Sequence, residues 1–245
     1  MKNKNIYFIS DAHLGTPDSE SSLLREKKLV SLLDSIKDNA EAIYFLGDIF
    51  DFWYEYKRVV PRGFTRFLGK VATLSDSGIE IHFFTGNHDI WVKDYLPDEL
   101  GLIIHRHPVI TEIMGKTFYL AHGDGLDETD RKFRILKRIF TNRVLQWCFS
   151  RLHPNLAIGL AGIWSRHSRI KHGTDAFKGE DEPVVKYARK NLTDLGLDYL
   201  VMGHRHCPVV YQLTDHTKFI ILGDWLSLFT YGVFDGTDFK LESYK

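Results

Sequence analysis

Five short clusters of aspartate, asparagine and histidine recur along the sequence, and each directly follows a run of apolar residues. The clusters are Asp11-Ala12-His13, Gly47-Asp48, Gly86-Asn87-His88-Asp89, His122-Gly123-Asp124 and Gly203-His204-Arg205-His206. Carboxylate and amide oxygens and imidazole nitrogens are ligands that suit divalent manganese, iron and zinc. A binuclear site needs one anionic oxygen between its ions and further ligands around each ion, and the clusters supply that set. One cluster alone is typical of a turn or a helix cap, but five in succession predict a shared metal site.

The clusters can meet only if the apolar runs before them form neighbouring strands. Such runs are short and rich in Ile, Val, Phe and Tyr, which predicts buried strands at residues 6–9, 42–46, 79–84, 117–120, 199–202 and 219–222. In an open α/β sheet, functional sites form beyond the carboxyl ends of the strands. We therefore expect the five clusters to converge at one edge of the fold.

Helical patterns separate several of these strands. Apolar residues recur at helical spacing over 23–36 and 64–74, and a third helix is predicted over 183–195, with Pro183 in its first turn and Gly196 after its end. Strands that alternate with helices predict an α/β layered fold. The chain has 245 residues, of which 44% are apolar and 26% charged. Residues 1–245 are therefore expected to form a single domain.

Composition argues against several classes of protein. Cys148 and Cys207 are the only cysteines, so neither a disulfide framework nor a thiolate zinc cluster is available, and a reducing cytoplasm suits the chain. No stretch approaches the roughly 18 uninterrupted apolar residues that cross a bilayer. The first apolar stretch ends at Ser10 and Asp11, which is typical of a strand rather than a signal peptide. We expect a cytoplasmic protein whose membrane contact is peripheral.

One segment differs chemically from the rest of the chain. Residues 131–174 contain ten Lys or Arg and no Asp or Glu, although the net charge of the whole chain is zero. Two helices are predicted here, over 130–152 and 155–170, with a break at His153-Pro154. Because the segment takes the place of a loop between two cluster-bearing strands, residues 125–175 are predicted to be an inserted helical cap. The apolar and basic side chains of such a cap could contact a ligand, or the cap could be a self-packed helix pair with a solvated basic face.

At the five clusters the chain resembles the calcineurin-like metallophosphoesterases, whose pattern is D-x-H, G-D, G-N-H-D/E, H and G-H-x-H. The resemblance implies two divalent ions, expected to be Mn²⁺, with Fe or Zn also compatible. The residues that match the family's ligands are Asp11, His13 and His206 for one ion, Asn87, His122 and His204 for the other, and Asp48 as the bridge. In this family the residue at the position of His88 assists the leaving oxygen and is oriented by the residue at the position of Asp89. Both residues are therefore expected to be catalytic.

A narrower resemblance covers nearly the whole chain and concerns the UDP-2,3-diacylglucosamine hydrolases. It rests on Gly47-Asp48-Ile49-Phe50-Asp51-Phe52-Trp53, His122-Gly123-Asp124-Gly125-Leu126, Gly203-His204-Arg205-His206-Cys207-Pro208 and Leu222-Gly223-Asp224-Trp225. That family cleaves the diphosphate of a UDP-linked diacylated sugar in lipid A synthesis, releases UMP and a diacylglucosamine phosphate, and holds the acyl chains in a helical cap. The resemblance implies this substrate and an anionic inner-membrane surface as partners. The residues expected to contact the substrate are Asn87, His88, Arg166, Ser168, Arg169 and His172.

One departure from the narrower family leaves another substrate open. Its proteobacterial members have Arg after the Asn of the third motif, whereas this chain has His88, as other metallophosphoesterases do. The alternative is therefore a metallophosphoesterase for another phosphodiester, a nucleotide or a phospholipid. A protein Ser/Thr phosphatase fits less well, because Asp51 is followed by Phe52-Trp53 rather than by the D-R-G of that family.

Two non-enzymatic functions fit the sequence less well. A scaffold that keeps the fold but has lost its metals conflicts with the intact ligand set. A nucleic-acid partner is not expected, because the basic segment is interleaved with aliphatic residues and the net charge is zero. No obligate protein partner is evident in the sequence.

Overall fold

The computed structural model describes residues 4–126, 131–171 and 176–245, excluding the side chains of 131–132 and 163–171, and it contains two β-sheets. The first sheet consists of β1 (Asn5–Ile9), β2 (Ala40–Phe45), β3 (Glu80–Phe84), β4 (Ile103–His105), β10 (Thr230–Phe234) and β11 (Phe239–Ser243). The second consists of β5 (Val109–Ile113), β6 (Lys116–Ala121), β7 (Tyr199–Met202), β8 (Val209–Gln212) and β9 (Lys218–Ile221). The strand orders are β11-β10-β1-β2-β3-β4 and β5-β6-β7-β9-β8.

Both sheets are mixed. In the first, β1 to β4 run parallel, β10 pairs antiparallel with β1, and β11 pairs antiparallel with β10. In the second, β6, β7 and β9 run parallel, and β5 and β8 pair antiparallel at the two edges. Parallel strands bring their carboxyl ends to one edge of a sheet, so this topology gathers the loops that carry the ligand clusters.

Helices cover the outer faces of the two sheets. Three of them, α1 (Ser19–Ile36), α2 (Thr65–Asp76) and α3 (Tyr95–Leu100), pack on the first sheet. The inserted segment between β6 and β7 contains α4 (Arg131–Thr141), α5 (Arg143–Phe149) and α6 (Pro154–Lys171). It is followed by α7 (Pro183–Asn191), which packs on the second sheet. The arrangement confirms the predicted α/β layered fold of two mixed sheets flanked by helices.

The alternation of side chains along β1 shows how the layers share the core. Ile6 and Phe8 point between the two sheets, where Phe8 stacks on Phe118 with ring centroids 5.9 Å apart. Tyr7 and Ile9 point the other way and pack against the helices of the first sheet. Successive side chains of a strand face opposite sides, and here both sides are covered. A strand buried on both faces reads as a continuous apolar run, which is why the central strands were visible in the sequence.

Local signals set the helix ends near the site. Asp18 precedes α1, and its carboxylate accepts a hydrogen bond from the backbone N–H of Ser21 (2.8 Å), which is N-cap geometry. Pro183 is the first residue of α7, as predicted. The helix itself ends at Asn191, and a 3₁₀ turn continues to Leu195 before Gly196, whose φ is +64°.

The inserted segment differs from its prediction. Two helices were expected, over 130–152 and 155–170, whereas the structure has three. The additional break falls at Asn142, whose side-chain oxygen accepts hydrogen bonds from the backbone N–H groups of Val144 (2.9 Å) and Leu145 (3.1 Å). An Asn in this position starts a new helix, so α5 begins separately from α4. Among the helices of the described residues, none is long and apolar enough to span a membrane.

Candidate metal centre

Every predicted ligand cluster lies just beyond the carboxyl end of a parallel strand. Asp11 and His13 follow β1, Asp48 follows β2, Asn87 and His88 follow β3, His122 follows β6, and His204 and His206 follow β7. The loops from the two sheets meet there, so the clusters converge as the sequence predicted. The centre is therefore assembled from both sheets.

The backbone at the predicted ligands is unusual. Five non-glycine residues of these loops have positive φ: Asp11 (53°), His13 (41°), Asp48 (53°), His204 (66°) and His206 (50°). This left-handed conformation costs on the order of 1–3 kcal/mol per residue and persists where the surrounding structure enforces it. Two glycines allow close approach in the same loops, since a side chain at Gly86 would collide with the carboxylate of Asp48 and one at Gly203 with that of Asp11.

Asp11, His13 and His206 form one cluster of possible ligand atoms, which all lie within 4.8 Å of one another. The Asp11 Oδ1 atom is 3.3 Å from His206 Nε2 and 3.9 Å from His13 Nε2. Asp11 and His13 are fully buried, and the other Asp11 oxygen accepts the backbone N–H of His204 (2.9 Å). One carboxylate oxygen is thus left facing two imidazoles.

Asp48, His122 and His204 form a second cluster within the same 4.8 Å limit. Asp48 Oδ2 is 3.3 Å from His122 Nε2, and Asn87 Oδ1 is 3.4 Å from that same nitrogen. Asp48 Oδ2 is also 3.8 Å from His13 Nε2, which belongs to the first cluster. This oxygen therefore lies between the two clusters, the position that a bridging carboxylate needs.

The residues fit a pair of divalent metal ions. Asp11 Oδ1 and both ring nitrogens of His13 are buried and have no hydrogen-bond partner among the described residues. Buried polar groups without partners are costly, and a bound cation would satisfy them. His122 Nδ1 lies 2.7 Å from the carbonyl oxygen of Leu46, so Nδ1–H donates there and Nε2 is the ring nitrogen that faces Asp48. The donors are oxygen and nitrogen only, which suits manganese, iron or zinc.

Burial and charge set the protonation of these groups. Burial lowers the pKa of His13 to about 3 and that of His204 to about 4, so both imidazoles are neutral at neutral pH. For His122, burial alone would lower the pKa, but the Asp48 carboxylate raises it well above its usual value. For Asp48, burial acts to raise the pKa, while His122 and His88 hold it well below its usual range. A metal ion at the second cluster would take the place of the proton on His122 that faces Asp48.

His88 lies at the edge of both clusters. Its backbone N–H donates to Asp48 Oδ1 (2.8 Å), and its ring meets the ring of His13 edge-on with centroids 4.8 Å apart. Its Nδ1 atom is 3.0 Å from the carbonyl oxygen of Asp51 and 3.9 Å from the Asp51 carboxylate. The imidazole, whose side chain is only 8% exposed, is thus oriented by Asp51.

The position of Asp89 differs from the expectation that it orients His88. The Asp89 carboxylate is fully buried and accepts backbone N–H groups of Gly86 (2.7 Å) and Ile49 (2.9 Å), with a longer contact to that of Asp48 (3.3 Å). The oxygens of a carboxylate that accepts several N–H groups are occupied by those hydrogen bonds. Asp89 therefore ties the Asp48 loop to the Asn87 loop and supports His88 only indirectly.

Sequence reasoning missed two residues that support the ligands. Asp224 accepts backbone N–H groups of the following turn with Oδ1, while its Oδ2 lies 3.5 Å from His206 Nδ1. It follows Gly223 at the end of a strand, the same signal that marked the five clusters. Arg25, buried on α1, donates to the carbonyl oxygens of Ala12 (3.3 Å), His13 (3.0 Å) and Thr16. No sequence signal pointed to Arg25.

The expected substrate contacts divide into two groups. Asn87 and His88 lie at the metal centre. Arg166, Ser168 and Arg169 belong to the C-terminal half of α6, but their side chains lie outside the described part of the structure, and His172 lies outside the described residues altogether.

An apolar cavity of about 270 Å³ opens beside the metal centre. Its polar end is formed by Asp51, Asn87 and His88. The rest is lined by apolar side chains, among them Phe52, Trp91, Leu136, Phe140, Phe149 and Leu160. Leu136, Phe140, Phe149 and Leu160 come from the insertion, so this segment forms one wall of a space that reaches the metal ligands.

Comparison with known proteins shows the family to which the chain belongs. The model of the calcineurin-like phosphoesterase family matches residues 4–208. The chain is 43% identical to the UDP-2,3-diacylglucosamine hydrolase of Porphyromonas gingivalis, over 99% of this chain and 98% of that protein. Proteins of the same name from Actinobacillus succinogenes and Neisseria meningitidis serogroup B are 27% and 29% identical, over 89% and 91% of this chain and 91% and 90% of theirs. The chain therefore belongs to the calcineurin-like phosphoesterases and, among them, to the family of the UDP-2,3-diacylglucosamine hydrolases.

Proposed function

We propose that this protein hydrolyses the diphosphate of UDP-2,3-diacylglucosamine to UMP and 2,3-diacylglucosamine 1-phosphate, a step of lipid A biosynthesis. The observation that carries the proposal is the likeness to the P. gingivalis hydrolase, which extends over nearly the whole of both chains. It spans the ligand clusters and the inserted helices alike. Both the phosphoester chemistry and the lipid specificity of the relative therefore have counterparts in this chain.

In this proposal two Mn²⁺ ions occupy the candidate centre. The proposed ligands are Asp11, His13 and His206 for one ion, Asn87, His122 and His204 for the other, and Asp48 for both. Two divalent ions held in this way supply Lewis acidity, which activates water for attack on phosphorus and neutralises charge on the phosphate oxygens. Support comes from the buried, unpartnered atoms of Asp11 and His13 and from the position of Asp48 Oδ2 between two imidazoles.

His88 is proposed to assist the departing oxygen. Its Nδ1–H is directed at the Asp51 carbonyl oxygen (3.0 Å), so a proton for the leaving group would come from Nε2 of the protonated ring. A general acid in this position contributes on the order of 10² to 10⁴ in rate. Asp89 contributes by holding the loops of Asp48 and Asn87 together.

The apolar cavity is proposed to receive an acyl chain. Its polar end is formed by residues of the metal centre, and its far walls are aromatic and aliphatic. A ligand that joins a phosphate to a hydrocarbon chain matches this change from a polar end to apolar walls. Arg166, Ser168, Arg169 and His172 are proposed to contact the sugar and its phosphate, on the basis of the sequence resemblance alone.

We further propose that the insertion contacts the cytoplasmic face of the inner membrane. Several of its large apolar side chains are exposed: Val144 (67%), Trp147 (58%), Ile135 (58%) and Leu156 (55%). Exposed cations, including Arg134 and Arg151, accompany them. Helices that present apolar residues together with basic ones bind anionic lipid surfaces.

The test is to incubate the Mn-loaded protein with UDP-2,3-diacylglucosamine in detergent and to follow UMP by mass spectrometry. Asp48→Asn is the control, because it keeps the size of the side chain and removes the shared negative charge. UMP is expected with the wild-type protein only. Full activity of Asp48→Asn would contradict the bridging role.

A second substrate separates the chemistry from the specificity. If the wild-type protein cleaves bis(4-nitrophenyl) phosphate but releases no UMP from the lipid, the metal-dependent activity holds and the lipid substrate is wrong. The substrate would then be another phosphodiester, a nucleotide or a phospholipid.

A further inference from the structure

A second cavity reaches the metal centre from another side. Its volume is about 490 Å³, within the range of roughly 300–1,000 Å³ that is usual for small-molecule sites. Its floor includes His122 and Asp124, whereas the apolar cavity ends at Asn87 and His88. Ile90 and Trp91 line both cavities. The two spaces therefore lie on either side of this pair of residues and converge on the metal ligands.

The second cavity is cationic, in contrast to the apolar one. Among the described residues, the lining contains four basic side chains, Lys93, Arg106, Lys137 and Arg143, and one carboxylate, that of Asp124. Asp124 is already paired with Lys137, whose Nζ atom is 2.6 Å from its carboxylate. No other carboxylate in the described part of the chain lines the cavity, and the remaining positive charge of these side chains favours an anionic ligand.

Two arginines of the lining come from different parts of the chain. Arg106 belongs to the turn between β4 and β5, and Arg143 is the first residue of α5 in the insertion. Among the described residues, neither guanidinium has a carboxylate within ion-pair distance. Arg106 is nevertheless held in place, because its Nη2 atom donates to the carbonyl oxygens of Val92 (3.2 Å) and Lys93 (3.0 Å). A guanidinium fixed in this way can bind phosphate with little loss of side-chain entropy.

We propose that this basic cavity binds the nucleotide half of the substrate, the uridine monophosphate portion, an inference that rests on the proposed function. A diphosphate held over the metal centre has a lipid half and a nucleotide half on its two sides. The apolar cavity matches the first half and the basic cavity matches the second. Arg106 and Arg143 bind the nucleotide phosphate. Because Arg106 belongs to the core and Arg143 to the insertion, the site forms only when the core and the insertion are packed together.

The proposal is tested with Arg106→Gln and Arg143→Gln in the full-length, Mn-loaded protein. Arg138→Gln is the matched control, since Arg138 is an exposed cation of the same insertion that does not line the cavity. Inhibition of lipid substrate hydrolysis is measured with UMP, uridine and inorganic phosphate. Each of the two cavity variants is expected to raise the UMP inhibition constant and the KM about ten-fold, as the loss of one charge-assisted hydrogen bond does. Arg138→Gln is expected to leave both constants unchanged.

Three outcomes would overturn the proposal. Unchanged KM and UMP inhibition in both cavity variants would exclude the basic cavity as the nucleotide site. Equal weakening of phosphate and UMP inhibition, with no inhibition by uridine in any variant, would reduce the cavity to an anion site. If the Gln variants also lose melting temperature, Lys substitutions at the same positions, which keep the charge, are expected to restore UMP binding, and folded Lys variants that bind UMP no better than the Gln variants would be the third such outcome.

Failure of the proposed function would look different. In that case the wild-type protein itself releases no UMP from the lipid substrate. Calorimetric titration with UMP still tests the cavity, because weaker binding in Arg106→Gln and Arg143→Gln than in Arg138→Gln supports a nucleotide site, and equal binding in all three excludes it.

Discussion

At the scale of single residues, buried carboxylates that are not proposed ligands hold the ligand loops in place. Asp89 joins the loops after β2 and β3, and Asp224 connects the turn after β9 to His206. Such partners orient a ligand and tune its basicity, and their loss typically costs 10- to 100-fold in metal affinity, as an order of magnitude. The metal centre therefore depends on more residues than those that would touch the ions.

We predict that Asp224→Asn lowers Mn²⁺ affinity by about 10- to 100-fold without unfolding the protein. The amide oxygen can still accept the N–H groups of Leu226, Ser227 and Leu228, while the negative charge facing His206 is lost. The affinity is measured by calorimetric titration of the metal-free protein. The control is Asp235→Asn, because Asp235 accepts N–H groups in a surface turn in the same manner. Equal affinities in the two variants would show that Asp224 does not act on His206.

The sequence predicted the candidate ligands because each of them sits next to a recognisable strand. Asp48 follows β2 and His122 follows β6 directly in the sequence, so no tertiary contact was needed to predict their positions. Arg25 could not be predicted in the same way, since it acts from the middle of α1 on carbonyl oxygens that come near only in the folded chain. The roles of Asp51 and Asp89 towards His88 likewise depend on tertiary contacts.

At the scale of elements, the insertion is attached to the core by a cluster of aromatic residues around Trp91. The Trp91 ring lies 4.8 Å from that of Phe149 and 5.4 Å from that of Phe140, centroid to centroid. Its Nε1–H donates to the carbonyl oxygen of Phe140 (2.7 Å), and Tyr54 donates its hydroxyl to the carbonyl oxygen of Gln146 (3.0 Å). Because Trp91 follows the Asn87 loop closely, these contacts couple the placement of the insertion to the metal centre.

We predict that limited proteolysis cleaves the insertion on the order of ten-fold faster in Trp91→Leu than in the wild-type protein. The reason is that local opening of this segment then costs less free energy. The KM for the lipid substrate is expected to rise in parallel, since Trp91 lines both cavities. Trp147→Leu is the control, because Trp147 lies in the same segment and is 58% exposed. Cleavage rates that match between the two variants would mean that the aromatic cluster does not fasten the insertion.

A second contact between elements predicts a dependence on pH. Glu180, in the 3₁₀ turn before α7, accepts hydrogen bonds from Arg189 of that helix (2.7 Å to Nε) and from Tyr211 of β8. These hydrogen bonds, led by that of Arg189, lower the pKa of Glu180 to about 2. A carboxyl with a lowered pKa stabilises the folded state above its unfolded pKa of about 4.5, and that contribution is lost as the pH falls towards 2.

We therefore expect the melting temperature of Glu180→Gln to lie below that of the wild-type protein at pH 6, with a gap that narrows between pH 4.5 and pH 2.5. The effect is small because the pair is exposed to solvent. Differential scanning calorimetry across this range is the measurement. A gap that stays constant with pH would mean that the charge of Glu180 makes no contribution.

Elements differed in how well the sequence predicted them. The central strands were visible because both faces are buried, as in β7, whose four residues are all buried. The edge strand β8 alternates between half-buried and exposed positions, and β4 has only three residues, so neither gave a clear apolar run. The split between α4 and α5 was missed because the apolar spacing continues across Asn142, whose capping hydrogen bonds decide the break.

At the scale of the whole molecule, bound metal should stabilise the fold. A ligand that binds only the folded state adds about 4 kcal/mol at 1,000 times its dissociation constant. In a protein of this size, that corresponds to on the order of 10 °C in melting temperature. We predict that chelation by EDTA lowers the melting temperature by this order and that added Mn²⁺ restores it. An unchanged melting temperature after verified removal of metal would contradict the fit of the ions to this centre.

The division of the proposed ligands between the two sheets has one more consequence. The first set takes Asp11 and His13 from the loop after β1 and His206 from the loop after β7, and the second set takes Asp48 from after β2 and His122 from after β6. Neither sheet carries a complete set. A chain in which only one sheet has formed therefore lacks part of each proposed ligand set, so we expect uptake of both ions to come late in folding and to report that the two sheets have docked in the correct alignment.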